Sequence, residues 1–315
     1  MTAPNYTDDE LVEAWNKLGS ATLVAKHLNT HKAGVLGRRR AVEKRRGIEL
    51  KAWNSQRPEA IRSKYPGVIE AKLFNGTCVV FNDAHFWPDM KSTAHRALIK
   101  VIKQFHPEII INNGDSLDGA RISRWPRIGW DDTPTMMQEL QANKEYLGEI
   151  EDLSKGILIW NLGNHCSRFE NFLAAHAPQY EGVPGFSLKD HFPRWMPSWS
   201  TVINDEVLVI HRFKGGMHAP HNNALWAGLS TITGHLHSQK VMPITDMRGT
   251  RWGCDTGCLA DPRAKQFSDY TETRPKDWRS GFCILTFKDG KMLPPELVTV
   301  WDEDSVTFRG AIIPV

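Results

Sequence analysis

Ile109-Ile110-Ile111-Asn112-Asn113-Gly114-Asp115-Ser116-Leu117-Asp118 opens as an unbroken β-branched run and ends in polar groups and a Gly-Asp pair. A run that is apolar at every position reads as a strand covered on both faces. The glycine lets the backbone turn sharply where the strand stops. Four other stretches have the same build. Cys78–Phe81 leads through Asn82 to Asp83 and His85, and Ile157–Trp160 leads to Gly163, Asn164 and His165. Val207–Ile210 leads straight to His211, and Leu229–Thr233 to Gly234, His235, Leu236 and His237. In open α/β sheets, ligands gather beyond the carboxyl ends of the strands. The five strand ends are therefore expected to bring Asp83, His85, Asp115, Asn164, His211, His235 and His237 into one crevice. One histidine at a strand end means little, and one Gly-Asp is ordinarily a turn. Five such endings in sequence have no simple structural reading.

Around this core the pattern is that of an α/β domain. Helices are expected at Ser92–Phe105 and Thr133–Leu153, the second capped by Asp132 or Thr133 with Pro134 in its first turn. Strand runs return at Phe282–Phe287 and Leu297–Trp301.

The first 50 residues differ. Thr7 and Glu10 have capping-box spacing, Leu11, Ala14, Trp15 and Leu18 follow at helical spacing, and Gly19 ends the helix. Ser20 starts a second helix with Leu23, Val24 and Leu28 inward. A third, from His31 to Arg46, carries Arg38, Arg39, Arg40, Lys44, Arg45 and Arg46 around Val35, Leu36 and Val42. Net charge is +3, but residues 1–51 hold ten Lys and Arg against six Asp and Glu, while the remainder holds 29 against 30. Three helices with a short turn before a basic third one are the layout of a helix-turn-helix module, so DNA is the expected partner and those six basic residues its contacts. A helical cap with a solvated basic face is the competing reading. The expected organisation is a DNA-binding module at 1–50, a linker at 51–67 with Pro58, Pro66 and Gly67, and a catalytic domain at 68–315.

The chain has 315 residues, no run of about 18 apolar residues, and a polar N-terminus without a signal-peptide layout, so a cytoplasmic protein without membrane contact is expected. Cys78, Cys166, Cys254, Cys258 and Cys283 are odd in number and without CxxC spacing, which suits buried thiols in a reduced compartment.

The order Asp-x-His, Gly-Asp, Gly-Asn-His, His, Gly-His-x-His, spanning about residues 76–260, resembles the calcineurin-like metallophosphoesterases. The resemblance implies a double-sheet β-sandwich flanked by helices. It implies one metal held by Asp83, His85, Asp115 and His237, and a second by the shared Asp115 with Asn164, His211 and His235. It also implies that His165 faces the leaving group as general acid, oriented by Asp118. Two divalent ions would neutralise a phosphodiester and acidify a water between them. Carboxylate, amide and imidazole donors suit Mn²⁺ first, with Fe, Zn²⁺ and Mg²⁺ also open. The family commonly has an acidic residue after Gly-Asn-His; here it is Cys166, with Glu170 a candidate substitute.

A helical head joined to such a domain is similar to metallophosphoesterases encoded by bacteriophages, which would place the protein in host cytoplasm. Nucleases of this kind are often dimers, so a homodimer is one expectation. The leading expectation is a DNA nuclease. The alternatives are a phosphomonoesterase, a small-molecule phosphodiesterase, or a DNA-binding scaffold that has lost catalysis. The protein-phosphatase branch typically has Asp-Arg-Gly where this chain has Asp118-Gly119-Ala120. Arg121, Arg124 and Arg127, interleaved with Trp125 and Trp130, are candidate phosphate and base contacts, as is His218 in the loop after His211.

Overall fold

The computed structural model describes residues 6–52, 58–63, 67–125, 132–272, 274 and 276–315. Arg127, Trp130 and Pro66 lie outside the described residues.

The head is three helices, α1 (Asp8–Leu18), α2 (Ala21–His27) and α3 (Lys32–Arg46). The Thr7–Glu10 capping box is formed, and Gly19 closes α1 at φ 53°. Ser20 precedes α2 without a side-chain cap. Leu11, Ala14, Trp15, Val24, Ala25, Val35 and Val42 form a small core of their own. Leu23, Leu28 and Leu36 are only half-buried.

The rest runs β1 (Glu59–Arg62), β2 (Val68–Lys72), β3 (Gly76–Phe81), α4 (Thr93–Phe105), β4 (Ile109–Asn112), α5 (Met136–Leu153), β5 (Ile157–Asn161), α6 (Arg168–His176), α7 (Leu188–His191), β6 (Met196–Ser198), β7 (Ser200–Ile203), β8 (Val207–Ile210), α8 (Ala219–Ala227), β9 (Ser230–Thr233), β10 (Lys240–Asp246), β11 (Gly249–Asp255), α9 (Lys265–Thr271), β12 (Gly281–Lys288), β13 (Lys291–Met292), β14 (Glu296–Asp302), β15 (Ser305–Phe308) and β16 (Ala311–Pro314). Among the described residues these strands make two mixed sheets. One has the order β1-β2-β7-β8-β9-β11-β10; the other is β16-β15-β14-β12-β3-β4-β5-β6, with β13 beside β12.

Side chains of a strand alternate between faces, and the two cores follow that alternation. Cys78 and Val80, Ile109 and Ile111, and Cys283 and Leu285 face Val207, Val209 and Ile232 of the other sheet. Val79, Phe81, Ile110, Leu158, Trp160 and Ile284 face outward, against Leu98, Ile102, Tyr146, Leu147 and Ile150 of α4 and α5. The strands β3, β4 and β5 are parallel and covered on both sides, one face by a sheet and the other by helices. All five cysteines are buried and unpaired. None of the described helices is long and apolar enough to cross a membrane.

Two boundaries differ from expectation. Glu59–Arg62, inside the stretch read as linker, pair antiparallel with Ile69–Lys72 of β2 as an edge strand. Their alternation is weak because most of β1 is exposed. Helix α5 begins at Met136, capped by Thr135 with Gln138 in a capping box, so Pro134 precedes the cap instead of sitting in the first turn. Either Thr satisfies a cap, and only the reciprocal Gln138 contact selects Thr135.

Candidate metal centre

The five strand ends meet at the shared edge of the two sheets. β3, β4 and β5 of one sheet deliver Asp83, His85, Asp115 and Asn164; β8 and β9 of the other deliver His211, His235 and His237. Among the described residues three groups of three have ligand atoms within 4.8 Å of one another: Asp83, His85 and His237; Asp115, His211 and His235; and His85, Asp118 and His165, the last made of one expected ligand with the expected acid and its carboxylate. Asn164 and His211 line one cavity of about 270 Å³.

The backbone at these positions is unusual. Asp83, His85, Asp115, His235 and His237 have φ of 51°, 41°, 54°, 69° and 56°. Left-handed conformations are uncommon for residues other than glycine, and they persist where the surroundings enforce them, often at functional sites. Space is equally tight. A Cβ on Gly163 would lie 2.0 Å from Asp115 Oδ1, and one on Gly234 would lie 2.3 Å from Asn82 Nδ2. Both glycines are needed for close approach.

Several donors and acceptors that face one another lack hydrogen bonds. Asp83 Oδ1, His85 Nε2, Asn164 Oδ1 and His211 Nε2 are buried and make no well-aligned hydrogen bond, although Asp83 Oδ1 is 3.2 Å from His237 Nε2 and His211 Nε2 is 2.9 Å from Asp115 Oδ2. Native proteins satisfy nearly all buried polar atoms, and each orphan costs about 1–3 kcal/mol. The opposite atoms of the same side chains are tied down. His211 Nδ1 donates to the Asn113 carbonyl at 2.8 Å, and His85 Nδ1 lies 3.1 Å from Asp118 Oδ1. His235 N donates to Asp83 Oδ2 at 2.7 Å, His165 N to Asp115 Oδ1 at 2.8 Å, and the Asn82 amide to Asp83. Imidazoles anchored through Nδ1 present Nε2, which is how ligating histidines are oriented. These four atoms are two imidazole nitrogens and two oxygens, turned toward one another, a donor set that fits divalent cations.

The electrostatics point the same way. Burial opposes charge on His85, yet the carboxylates of Asp118 and Asp83 push its imidazole up to about 10. Against the same burial, Asp115 and Asp83 raise His211 to about 9. Burial would raise Asp83, Asp115 and Asp118, but the histidines beside them hold all three well below the usual carboxylate range. A pocket whose field pulls protons onto imidazoles also attracts metal cations. Burial and the neighbouring His211 lower His235 from the usual imidazole range.

His165 stands beside the first two groups. Its Nδ1 is 2.9 Å from Asp118 Oδ1, so Asp118 touches both His165 and His85. Trp87 Nε1 donates to the other oxygen of Asp118 at 3.2 Å. Glu139 holds the following turn, accepting from Gly119 N at 2.6 Å and Ala120 N at 3.2 Å.

Other expected contacts fall elsewhere. Glu170 does not reach the centre; its Oε1 accepts from Leu188 N at 2.8 Å and fixes the start of α7. Cys166 is wholly buried, and burial pushes its thiol up to about 11. Arg121 donates twice to the Thr133 carbonyl, at 3.0 and 2.7 Å, and braces its own loop. The fork was legible as a phosphate binder, but a nearby carbonyl occupies it. His218 is the residue before α8 and gives it no side-chain cap. It does not line the cleft beside the centre, which measures about 660 Å³ and includes Arg124, Trp125, Asn164, Arg168 and Arg212.

In the head, Arg38 pairs with Asp8 at 2.9 Å, Arg39 with Glu43 at 3.0 Å, Arg45 with Asp8 and Arg46 with Asp9. Arg39 also lies over the Trp15 ring at 4.4 Å. Four of the six expected DNA contacts thus hold α3 to the acidic first turn of α1 or to its own next turn. Arg40 and Lys44 are exposed.

The reading of the residues missed Arg168. Its guanidinium donates to the Asp118 carbonyl at 3.0 Å and lies 3.2 Å from His165 Nε2. The spacing of three from His165 at the start of a helix was the available signal.

No protein-family model matches the sequence, and no curated protein matches it. Similar solved structures include Vps29 of Chaetomium thermophilum, 9% identical over 76% of this chain and 97% of that one, with a TM-score of 0.40. A protein serine/threonine phosphatase from Saccharomyces cerevisiae, described as similar to human phosphatase PP5, is 12% identical over 76% and 85% of the two chains, with a TM-score of 0.36. A dimetal phosphatase from Danio rerio is 9% identical over 76% and 98%, also with a TM-score of 0.36.

Proposed function

We propose that the chain is a two-metal phosphodiester hydrolase of the calcineurin-like metallophosphoesterase type, acting on DNA. The observation that carries this reading is the convergence of two ligand triads with buried, unpaired donor atoms held on left-handed backbone. Asp83, His85 and His237 would hold one cation and Asn164, His211 and His235 the other, with Asp115 shared. Such a pair supplies charge neutralisation of the phosphate and an acidified water.

The protein's own residues do the rest. Asp118 holds His165 through Nδ1 and leaves Nε2, beside Arg168, as the nitrogen that can give a proton to the leaving oxygen. The same carboxylate sets the orientation of His85, so the acid and one ligand are fixed by one group. Asn82 and the His235 amide fix the Asp83 carboxylate, and the Asn113 carbonyl fixes His211. DNA as substrate is favoured by the basic head, with Arg40 and Lys44 among its exposed cations, and by the open arginine-bearing cleft beside His165.

The test is turnover with Mn²⁺ on circular, linear and single-stranded DNA, beside bis(p-nitrophenyl) phosphate and p-nitrophenyl phosphate. Hydrolysis of the diester and of DNA is the expected result. Diester turnover without DNA cleavage transfers the reading to a small-molecule phosphodiesterase. Exclusive monoester turnover makes the protein a phosphatase, and no turnover at all defeats the proposal.

A further inference from the structure

We propose that the cleft between residues 122–125 and α6 is a subsite for an unpaired DNA nucleotide on the leaving-group side of the scissile bond, with Arg168 on its phosphate and Phe172 and Trp125 on its base. The proposal rests on the hydrolase reading above and adds which part of the substrate is read and by what.

The cleft of about 660 Å³ begins at Asn164 and runs along the exposed side of α6. Its near end is next to His165, whose Nε2 is 3.2 Å from Arg168. His165 serves the leaving oxygen, so whatever extends from that oxygen enters here. Arg168 is anchored by one nitrogen on the Asp118 carbonyl, and the other points at the imidazole rather than at a carboxylate. An anionic oxygen competes well for such a donor. Gly119 makes the placement possible: at φ +64° it has no side chain, and a Cβ there would lie 3.2 Å from Arg168 Cδ. Arg124 and Arg212 also line the cleft, so the basic side chains extend past one phosphate.

The far part of the cleft is aromatic. Phe172 is 39% exposed and stacks on His176, ring centroids 4.3 Å apart at 22°. Trp125 is 66% exposed, with Arg124 over its ring at 5.1 Å. Exposed flat rings interleaved with arginines are the chemistry of unpaired bases, because each base offers a face for stacking. A paired base keeps its faces inside the duplex and cannot use them.

Binding is measured on the full chain with Mn²⁺ in a His165→Ala background, by anisotropy of a labelled thymidine 12-mer, its abasic counterpart and a 12-base-pair duplex. Stacking is worth about 1–3 kcal/mol per base, so the abasic strand is expected to bind about tenfold more weakly. Phe172→Ala together with Trp125→Ala brings that ratio close to one. Both rings are exposed, and an unchanged melting temperature checks that the fold persists. Arg168→Ala weakens both strands and lowers the slope of log affinity against log salt by about one. An abasic ratio near one in the starting protein, a ratio that survives loss of both rings, or equal affinity for duplex and single strand overturns the subsite. Turnover of bis(p-nitrophenyl) phosphate by the unsubstituted protein separates the two failures. With that turnover present, a failed ratio sinks the subsite alone; with it absent, the hydrolase reading falls and the subsite with it.

Discussion

Asp83 Oδ1 and His237 Nε2 are 3.2 Å apart, both buried, within a group whose other member, His85, has an unpaired Nε2. His237, proposed as a ligand, packs against Phe267 and Trp278 outside the two main cores, so its replacement is expected to leave the fold intact. His237→Ala is expected to abolish diester turnover and to halve the metal content, read by elemental analysis of the purified protein. Normal turnover with two ions per chain would refute the ligand assignment. Gly163 tests the geometry from the other side. An added methyl would lie 2.0 Å from Asp115 Oδ1, so Gly163→Ala must displace that carboxylate. Overpacking costs about 1–3 kcal/mol, and activity is expected to fall by more than about 100-fold because a small misplacement of reacting groups is costly. Unaltered kinetics would show that Asp115 is not held there. At this scale the sequence was legible for residue types and order. It was silent on Arg168, Trp87 and Glu139, whose roles come from contacts made across turns.

Helix α4 shows how an element can carry a titrating group that has nothing to do with chemistry. Ser92 caps it, accepting from His95 N at 3.1 Å, and His95 is fully buried beneath it against Phe86 and Tyr146. Burial pushes its imidazole down to about 4, although Glu149 on α5 opposes the shift. The folded protein therefore binds fewer protons than the unfolded chain between about pH 6.5 and pH 4. Stability falls as pH drops through that window, by an amount on the order of 3 kcal/mol. His95→Gln is expected to remove this component, so that the difference in unfolding free energy between the two proteins changes by about that amount from pH 7 to pH 4 in urea titrations. Parallel pH profiles would show that His95 titrates normally. The helix itself was readable from Ser92 and the apolar spacing, and β3, β4 and β5 from their unbroken apolar runs. β1 was not readable, since an exposed edge strand has little alternation to show, and the start of α5 depended on which of two threonines found a reciprocal partner.

For the whole molecule, the head has a hydrophobic core separate from the two cores of the sandwich. Deleting residues 1–50 is therefore expected to spare hydrolysis of bis(p-nitrophenyl) phosphate and to weaken DNA affinity, most at low salt, where counterion release contributes most. Unchanged affinity over a salt titration would reduce the head to a structural cap. The ion pairs of Arg38, Arg45 and Arg46 with Asp8 and Asp9 limit how much of α3's charge is available for that role. By itself the sequence determined the runs that must be buried strands, the polar groups that end them, and the capped helices, because hydrophobic period and capping are local properties of the chain. Only the tertiary structure decided that the strand ends belong to two facing sheets, that Asp118 serves two histidines, and which arginines remain free. Those outcomes depend on which distant side chains come within hydrogen-bonding distance once the sheets pack, and local spacing does not specify that.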